Sequence, residues 1–124
     1  MKVVSSDRAP QAIGPYSQGV EVNGFIYLSG QIAIDAKTGE MVQDSFKNEC
    51  EQVFKNISYM LEDNNLSFSN VVKVNISILD MGVFSVLNDI YAKYFTAPYP
   101  ARACVAVKSL PKNGNVEIEI IAAR

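Results

Sequence analysis

The sequence predicts an α+β sandwich: one mixed β-sheet with two helices on one face. Three observations carry that prediction. Asn23-Gly24 separates two apolar runs, and this dipeptide supplies the positive-φ pair of a type I′ hairpin turn. Two later segments place apolar residues at helical spacing, and they alternate along the chain with runs rich in β-branched residues. No repeat, linker or low-complexity stretch divides the sequence, so residues 1–124 read as a single domain, long enough to bury a core.

Each element follows from local chemistry. Residues 17–22 and 25–34 form the predicted hairpin, and the turn cluster Asp35-Ala36-Lys37-Thr38-Gly39 ends its second strand. From Asp44 or Ser45, either a plausible N-cap, apolar residues recur at Phe46, Cys50, Val53, Phe54, Ile57 and Leu61, and the pattern stops near Asn64-Asn65. Lys47, Glu51, Lys55 and Glu62 take the opposite face, so this helix lies on a sheet with one side in water. Val72, Val74, Ile76 and Ile78 alternate with Lys73, Asn75 and Ser77 as a half-buried strand. Phe84, Leu87, Tyr91, Tyr94 and Phe95 give a second helical stripe, which Pro98 and Pro100 must end. Strands over 102–108 and 116–122 close the chain, read as a hairpin across Leu110-Pro111-Lys112-Asn113-Gly114. Several strands are apolar in both parities, as in Phe25-Ile26-Tyr27-Leu28 and at Ile118, Ile120 and Ile121. Helices cover one side of the sheet and nothing remains to cover the other. An apolar face of that size is an association surface, which predicts an obligate homo-oligomer, most simply cyclic, with sheets packed inward.

Composition narrows the chemistry. No stretch approaches the ~18 apolar residues of a membrane span, and no basic segment followed by an apolar one marks export. A cytoplasmic protein without a membrane partner is expected. A net charge of −2 argues against a phosphate-binding surface, so no nucleic-acid partner is expected. Cys50 and Cys104 make no disulfide framework and read as reduced thiols. The absence of histidine removes every Ser-His and Cys-His nucleophile pair and nearly every catalytic zinc set. No metal and no cofactor are expected, and acid-base work falls to Glu, Asp, Tyr, Lys or Cys.

The most informative stretch is the C-terminal one. Arg102 heads one apolar strand and Glu117 the next. A guanidinium is an always-charged fork that fits a carboxylate bidentately, and a strand-borne carboxylate can accept protons or position water. Together they suggest a site that grips a small organic acid and hydrolyses it. Each residue also has a plainer reading: Arg102 as a surface charge, Glu117 and Glu119 as a solvated strand face. Tyr16 follows a Gly14-Pro15 turn, either as a half-buried strand aromatic or as a phenol held at a pocket mouth. Ser29-Gly30 interrupts an apolar strand, marking either a bulge or a backbone N–H left open for a ligand carboxylate. Cys104 is either an inert buried thiol or a pocket-lining one. In an ordinary hairpin Arg102 and Glu117 would stand at opposite ends, roughly 15 Å or more apart at ~3.3 Å per residue. A site using both residues is therefore expected to form between subunits.

Gly14-Pro15-Tyr16-Ser17-Gln18, Ser29-Gly30-Gln31, Asn88 within Leu87-Asn88-Asp89-Ile90-Tyr91, Pro100-Ala101-Arg102-Ala103-Cys104-Val105 and Val116-Glu117-Ile118-Glu119 together resemble the Rid (YjgF-like) family, most of all its RidA branch of enamine/imine deaminases. The resemblance covers essentially the whole chain and is most specific at its C-terminal end. It implies a chorismate-mutase-like sandwich, a homotrimer with sheets packed into a central barrel, and pockets at the subunit interfaces. It implies hydrolysis of 2-iminoacids such as 2-iminobutanoate and 2-iminopropanoate to 2-oxoacids and ammonia, with no cofactor. By position, Arg102 would bind the substrate carboxylate, helped by backbone N–H groups near Gly30 and Cys104. Glu117 would orient or deprotonate water, and Tyr16, Ser29 and Asn88 would line the pocket. The segment between Tyr91 and Arg102 is about three residues shorter than in similar members, which bears on substrate preference. The rival readings are a non-catalytic module that binds a 2-oxoacid or related metabolite, and an RNA-cleaving role, for which the chain offers no histidine pair and no basic stripe.

Overall fold

The computed structural model describes residues 1–124. Its main feature is a six-stranded sheet in the order β1-β2-β3-β8-β6-β7. The strands are β1 (Lys2–Val4), β2 (Gly19–Val22), β3 (Phe25–Leu28), β6 (Val71–Ile78), β7 (Ala101–Ala106) and β8 (Val116–Ala123), while β4 (Ile34–Asp35) and β5 (Glu40–Met41) pair separately. Helices α1 (Phe46–Glu62) and α2 (Phe84–Tyr94) pack on one face of the large sheet. Every neighbouring pair is antiparallel except β6 and β7. The sheet is mixed, as predicted.

Local sequence explains where elements begin and break. Asn23 and Gly24 have φ of 52° and 79°, the left-handed pair a type I′ turn requires. Ser45 caps α1, its hydroxyl accepting from Asn48 N at 3.0 Å. The stripe Cys50, Val53, Phe54, Ile57, Met60 and Leu61 is buried against the sheet, and Leu87, Ile90 and Tyr91 form its counterpart on α2.

Three expectations need correction, and one strand was not anticipated. The last two strands are not a hairpin, because β6 lies between β7 and β8. β7 is parallel to β6, and parallel neighbours need a crossover, which α2 provides. The strand expected over 25–34 ends at Leu28. Tyr27 pairs with Ile121, and the chain regains β8 only where Gln31 meets Ile118. Four residues on one side answer three on the other, so Ser29-Gly30 is a bulge. Val72 does not share a face with Val74, since a register shift between Val71 and Lys73 turns Val71 inward and leaves Val72 42% exposed. Finally, β1 pairs along β2, an N-terminal strand too short for periodicity to detect.

Cross-strand register sorts the sheet into two faces. Ile26, Leu28, Val74, Ile76, Ile78, Val116, Ile118, Ile120 and Ala122 lie under the helices and are buried. The opposite face is uncovered. One row across it runs Val3, Val20, Tyr27, Ile121, Lys73 and Ala101, and the rows beyond carry Glu119, Asn75 and Ala103, then Glu117, Ser77 and Val105. Phe25 and Tyr27 are 44% and 42% exposed there. The uncovered face is apolar at one end and acidic at the other.

Candidate functional site

The bulge opens a cleft of about 780 Å³ beside the acidic end of the free face, lined by Tyr16, Ser29, Gly30, Gln31, Glu117 and Glu119 among others. Its walls are set by backbone clamps. Buried Gln18 donates from Nε2 to the carbonyls of Ser6 (3.0 Å) and Pro10 (2.8 Å) and accepts from Ser6 N (3.0 Å). That clamp shapes the segment carrying Tyr16, which is 54% exposed. The Ser29 hydroxyl donates to the Ser17 carbonyl at 2.6 Å, so it stabilises the wall as well as lining it. On the far side, buried Asn56 of α1 donates to the carbonyls of Ile32 and Ile34.

Glu117 is the half-buried carboxylate of this cleft. Its carboxylate takes part in no hydrogen bond or ion pair within the chain, whereas Glu119 accepts from Asn75 Nδ2 at 3.2 Å. Burial, and secondarily the neighbouring Glu119 charge, push the Glu117 pKa upward. Gly30 makes this placement possible: a Cβ there would lie 2.8 Å from Glu117 Cδ and 2.9 Å from Oε1. The Gly30 N–H donates to no protein acceptor, while Ser29 N and Gln31 N on either side bond the carbonyls of Gln18 and Ile118. A half-buried carboxylate therefore sits beside an open backbone donor.

Arg102 lies elsewhere. It pairs with Val74 in register, which puts it on the helix side of edge strand β7, whereas Glu117 points to the free face. Its Nη1 donates to Asn88 Oδ1 at 2.7 Å, and its Cζ lies 4.7 Å and 5.2 Å from the ring centroids of Tyr91 and Phe84. Arg8 and Arg124 are ion-paired with carboxylates, but Arg102 has no acidic partner. The fork is ready for an external anion. Cys104, two residues on along β7, is partly buried, and burial raises its pKa despite the opposing Arg102 charge. That keeps the thiol protonated and weakly nucleophilic.

The structure thus brings Tyr16, Ser29, Gly30 and Glu117 to one locus, and Asn88, Arg102 and Cys104 to another. Arg102 and Glu117 are separated by two strand spacings and about three residues of register, on the order of 14 Å, on opposite faces of the sheet. Sequence reasoning did not identify Phe84 and Tyr91 as neighbours of Arg102. The available signal was the 84, 88, 91 spacing, which puts both rings on the same helix face as Asn88.

Residues 6–124 match the Endoribonuclease L-PSP family over nearly the whole chain. The chain belongs to this family. An L-PSP relative in Aquifex aeolicus, described as a RutC family protein, is 48% identical over the full length of both chains. The Bos taurus protein named 2-iminobutanoate/2-iminopropanoate deaminase is 44% identical, with 99% of this chain and 90% of that protein covered. Among solved L-PSP structures, RidA from the Antarctic bacterium Psychrobacter sp. PAMC 21119 superposes with a TM-score of 0.95 at 44% identity, covering both chains completely.

Proposed function

We propose that this protein is an enamine/imine deaminase that hydrolyses 2-iminoacids such as 2-iminobutanoate and 2-iminopropanoate to 2-oxoacids and ammonia. The observation that carries this reading is the pair of unsatisfied groups of opposite charge. Arg102 is the arginine without a carboxylate partner, and Glu117 is a half-buried carboxylate without a donor, its pKa raised by burial. The name of the bovine relative supports the same substrate class. The family description speaks of an endoribonuclease, but this chain has no histidine for phosphoryl transfer and the ionisable residue at the centre of its cleft is acidic.

A protonated imine is already electrophilic, so the protein's work is positioning and proton handling. Arg102 holds the substrate carboxylate in its fork, and the open Gly30 N–H offers a further donor. Water attacks the imine carbon while Glu117 accepts its proton, and the C=N π pair becomes the nitrogen lone pair of a carbinolamine. Glu117 returns that proton to nitrogen. The C–N bond then breaks as the hydroxyl proton leaves to Glu117, releasing ammonia and the 2-oxoacid. The final proton passes to solvent.

Arg102 and Glu117 occupy opposite faces of one chain, so one small substrate reaches both only if they come from different copies. The uncovered apolar rows and the unpaired edge of β7 favour such an assembly. We take it to be a homotrimer with the sheets packed inward, the Arg102 locus of one copy facing the Glu117 cleft of the next. Coupling the protein to a threonine dehydratase and following 2-oxobutanoate release tests the activity. Acceleration by wild type, lost in Arg102→Lys because a point charge cannot reproduce the bidentate fork, is the expected result. Full activity in Arg102→Lys would remove the clamp from the mechanism.

A further inference from the structure

The aromatic neighbours of Arg102 have no role in the chemistry above, yet the structure builds them with care. Phe84, Asn88 and Tyr91 follow one another at intervals of four and three on α2, so all three side chains face β7. Tyr91 is 6% exposed and stacks on Phe95 with centroids 4.4 Å apart, while Phe54 meets it edge-on at 6.1 Å. Its ring is held by the core and cannot turn away from the cation. Phe84 is only partly buried and packs against the same core from the first turn of α2. An arginine on an exposed edge strand, with no carboxylate partner, would otherwise sample many rotamers.

We propose that Phe84 and Tyr91 are positioning residues for ligand binding: their rings hold the Arg102 guanidinium in one orientation, Asn88 fixes one corner, and the remaining N–H edge is presented to a carboxylate. Aromatic faces attract a guanidinium through the ring quadrupole while leaving its in-plane donors free. Asn88 accepts through a single oxygen and uses one donor. The cradle therefore fixes the fork without consuming it, unlike an ion pair such as that between Arg8 and Asp63. The ring is the working part of Tyr91, because its buried hydroxyl has no hydrogen-bond partner.

This inference rests on the reading of Arg102 as a carboxylate clamp, and calorimetric titration with 2-oxobutanoate separates the two. Phe84→Leu and Tyr91→Leu are each expected to weaken binding by roughly fivefold to tenfold, the scale of a single cation–π contact at a partly exposed site. Tyr91→Phe, which keeps the ring and removes the orphan hydroxyl, is expected to bind as wild type does. In turnover, the leucine variants should raise KM with kcat held, because Glu117 and its cleft are untouched. If wild type itself does not bind 2-oxobutanoate, the clamp reading fails, and the cradle with it. Binding by wild type together with undiminished affinity in Phe84→Leu and Tyr91→Leu would overturn the cradle alone. So would a fall in kcat that Tyr91→Phe shares. Should Tyr91→Leu not fold, Phe84→Leu decides the matter, since its ring lies nearer the surface.

Discussion

Burial lifts the Glu117 carboxyl above its ordinary value of 4.5, with Glu119 adding to the effect, and the sign of that shift sets a pH dependence. The neutral acid is favoured in the folded protein, so the carboxylate form that the proposed mechanism requires is present only above the raised pKa. Turnover should fall as pH drops through that value, at a higher pH than an unperturbed glutamate would give. Glu117→Gln should abolish this limb and lower kcat by 10²–10⁴, on the order of a lost general base; a pH–rate profile unchanged in the variant would exclude Glu117. Gly30 provides a subtler test. A methyl group there would press on the Glu117 side chain at 2.8 Å. Gly30→Ala should therefore displace the carboxylate and depress kcat while thermal unfolding stays close to wild type, whereas unchanged turnover would mean that Glu117 has room to move.

At the scale of elements, two attachments hold the site's framework. Ser45→Ala removes the N-cap of α1 and should cost about 1 kcal/mol in chemical denaturation. The segment leading to Tyr16 is stapled to the end of α1: Ser6 Oγ and Arg8 both donate to Asp63, and Arg8 also reaches Glu62. The Arg8 hydrogen bond first, then that of Ser6, hold the Asp63 pKa below its ordinary 3.8. A depressed carboxyl stabilises the fold above the unfolded value and loses that contribution as pH falls through the lower folded one. Asp63→Asn should flatten the loss of stability below about pH 4, and a wild-type acid limb in that variant would discount the staple. These elements also show what the sequence could reveal. Helix α1 was readable because cap, stripe and stop agree along one stretch of chain. The β7–β8 pairing was misread because periodicity specifies which residues face inward but not which strand lies alongside, and β6 enters between them from thirty residues away. The bulge beside Glu117 was legible from Gly30 inside an apolar run. The aromatic support of Arg102 was not, because Phe84 and Tyr91 are indistinguishable from core residues until β7 is placed beside α2.

For the whole molecule, the proposed mechanism turns on the placement of Arg102 and Glu117 on opposite faces of one sheet, beside an uncovered face that carries Phe25 and Tyr27. Tyr27→Lys places a charge in the middle of the uncovered row, one strand from Ile121. It should reduce the assembly seen by sedimentation and abolish imine hydrolysis while the circular dichroism of the fold persists. Retained activity in a dissociated variant would argue for a site within one chain. The sharpest measurement is complementation. Arg102→Ala and Glu117→Gln subunits, each inactive alone, are unfolded together, refolded as a 1:1 mixture and assayed for 2-iminobutanoate hydrolysis. If each site takes Arg102 from one copy and Glu117 from its neighbour, random assembly restores about a quarter of wild-type activity, the fraction of interfaces that pair two intact residues. A mixture as inactive as its components would contradict a shared site and return both residues to separate roles.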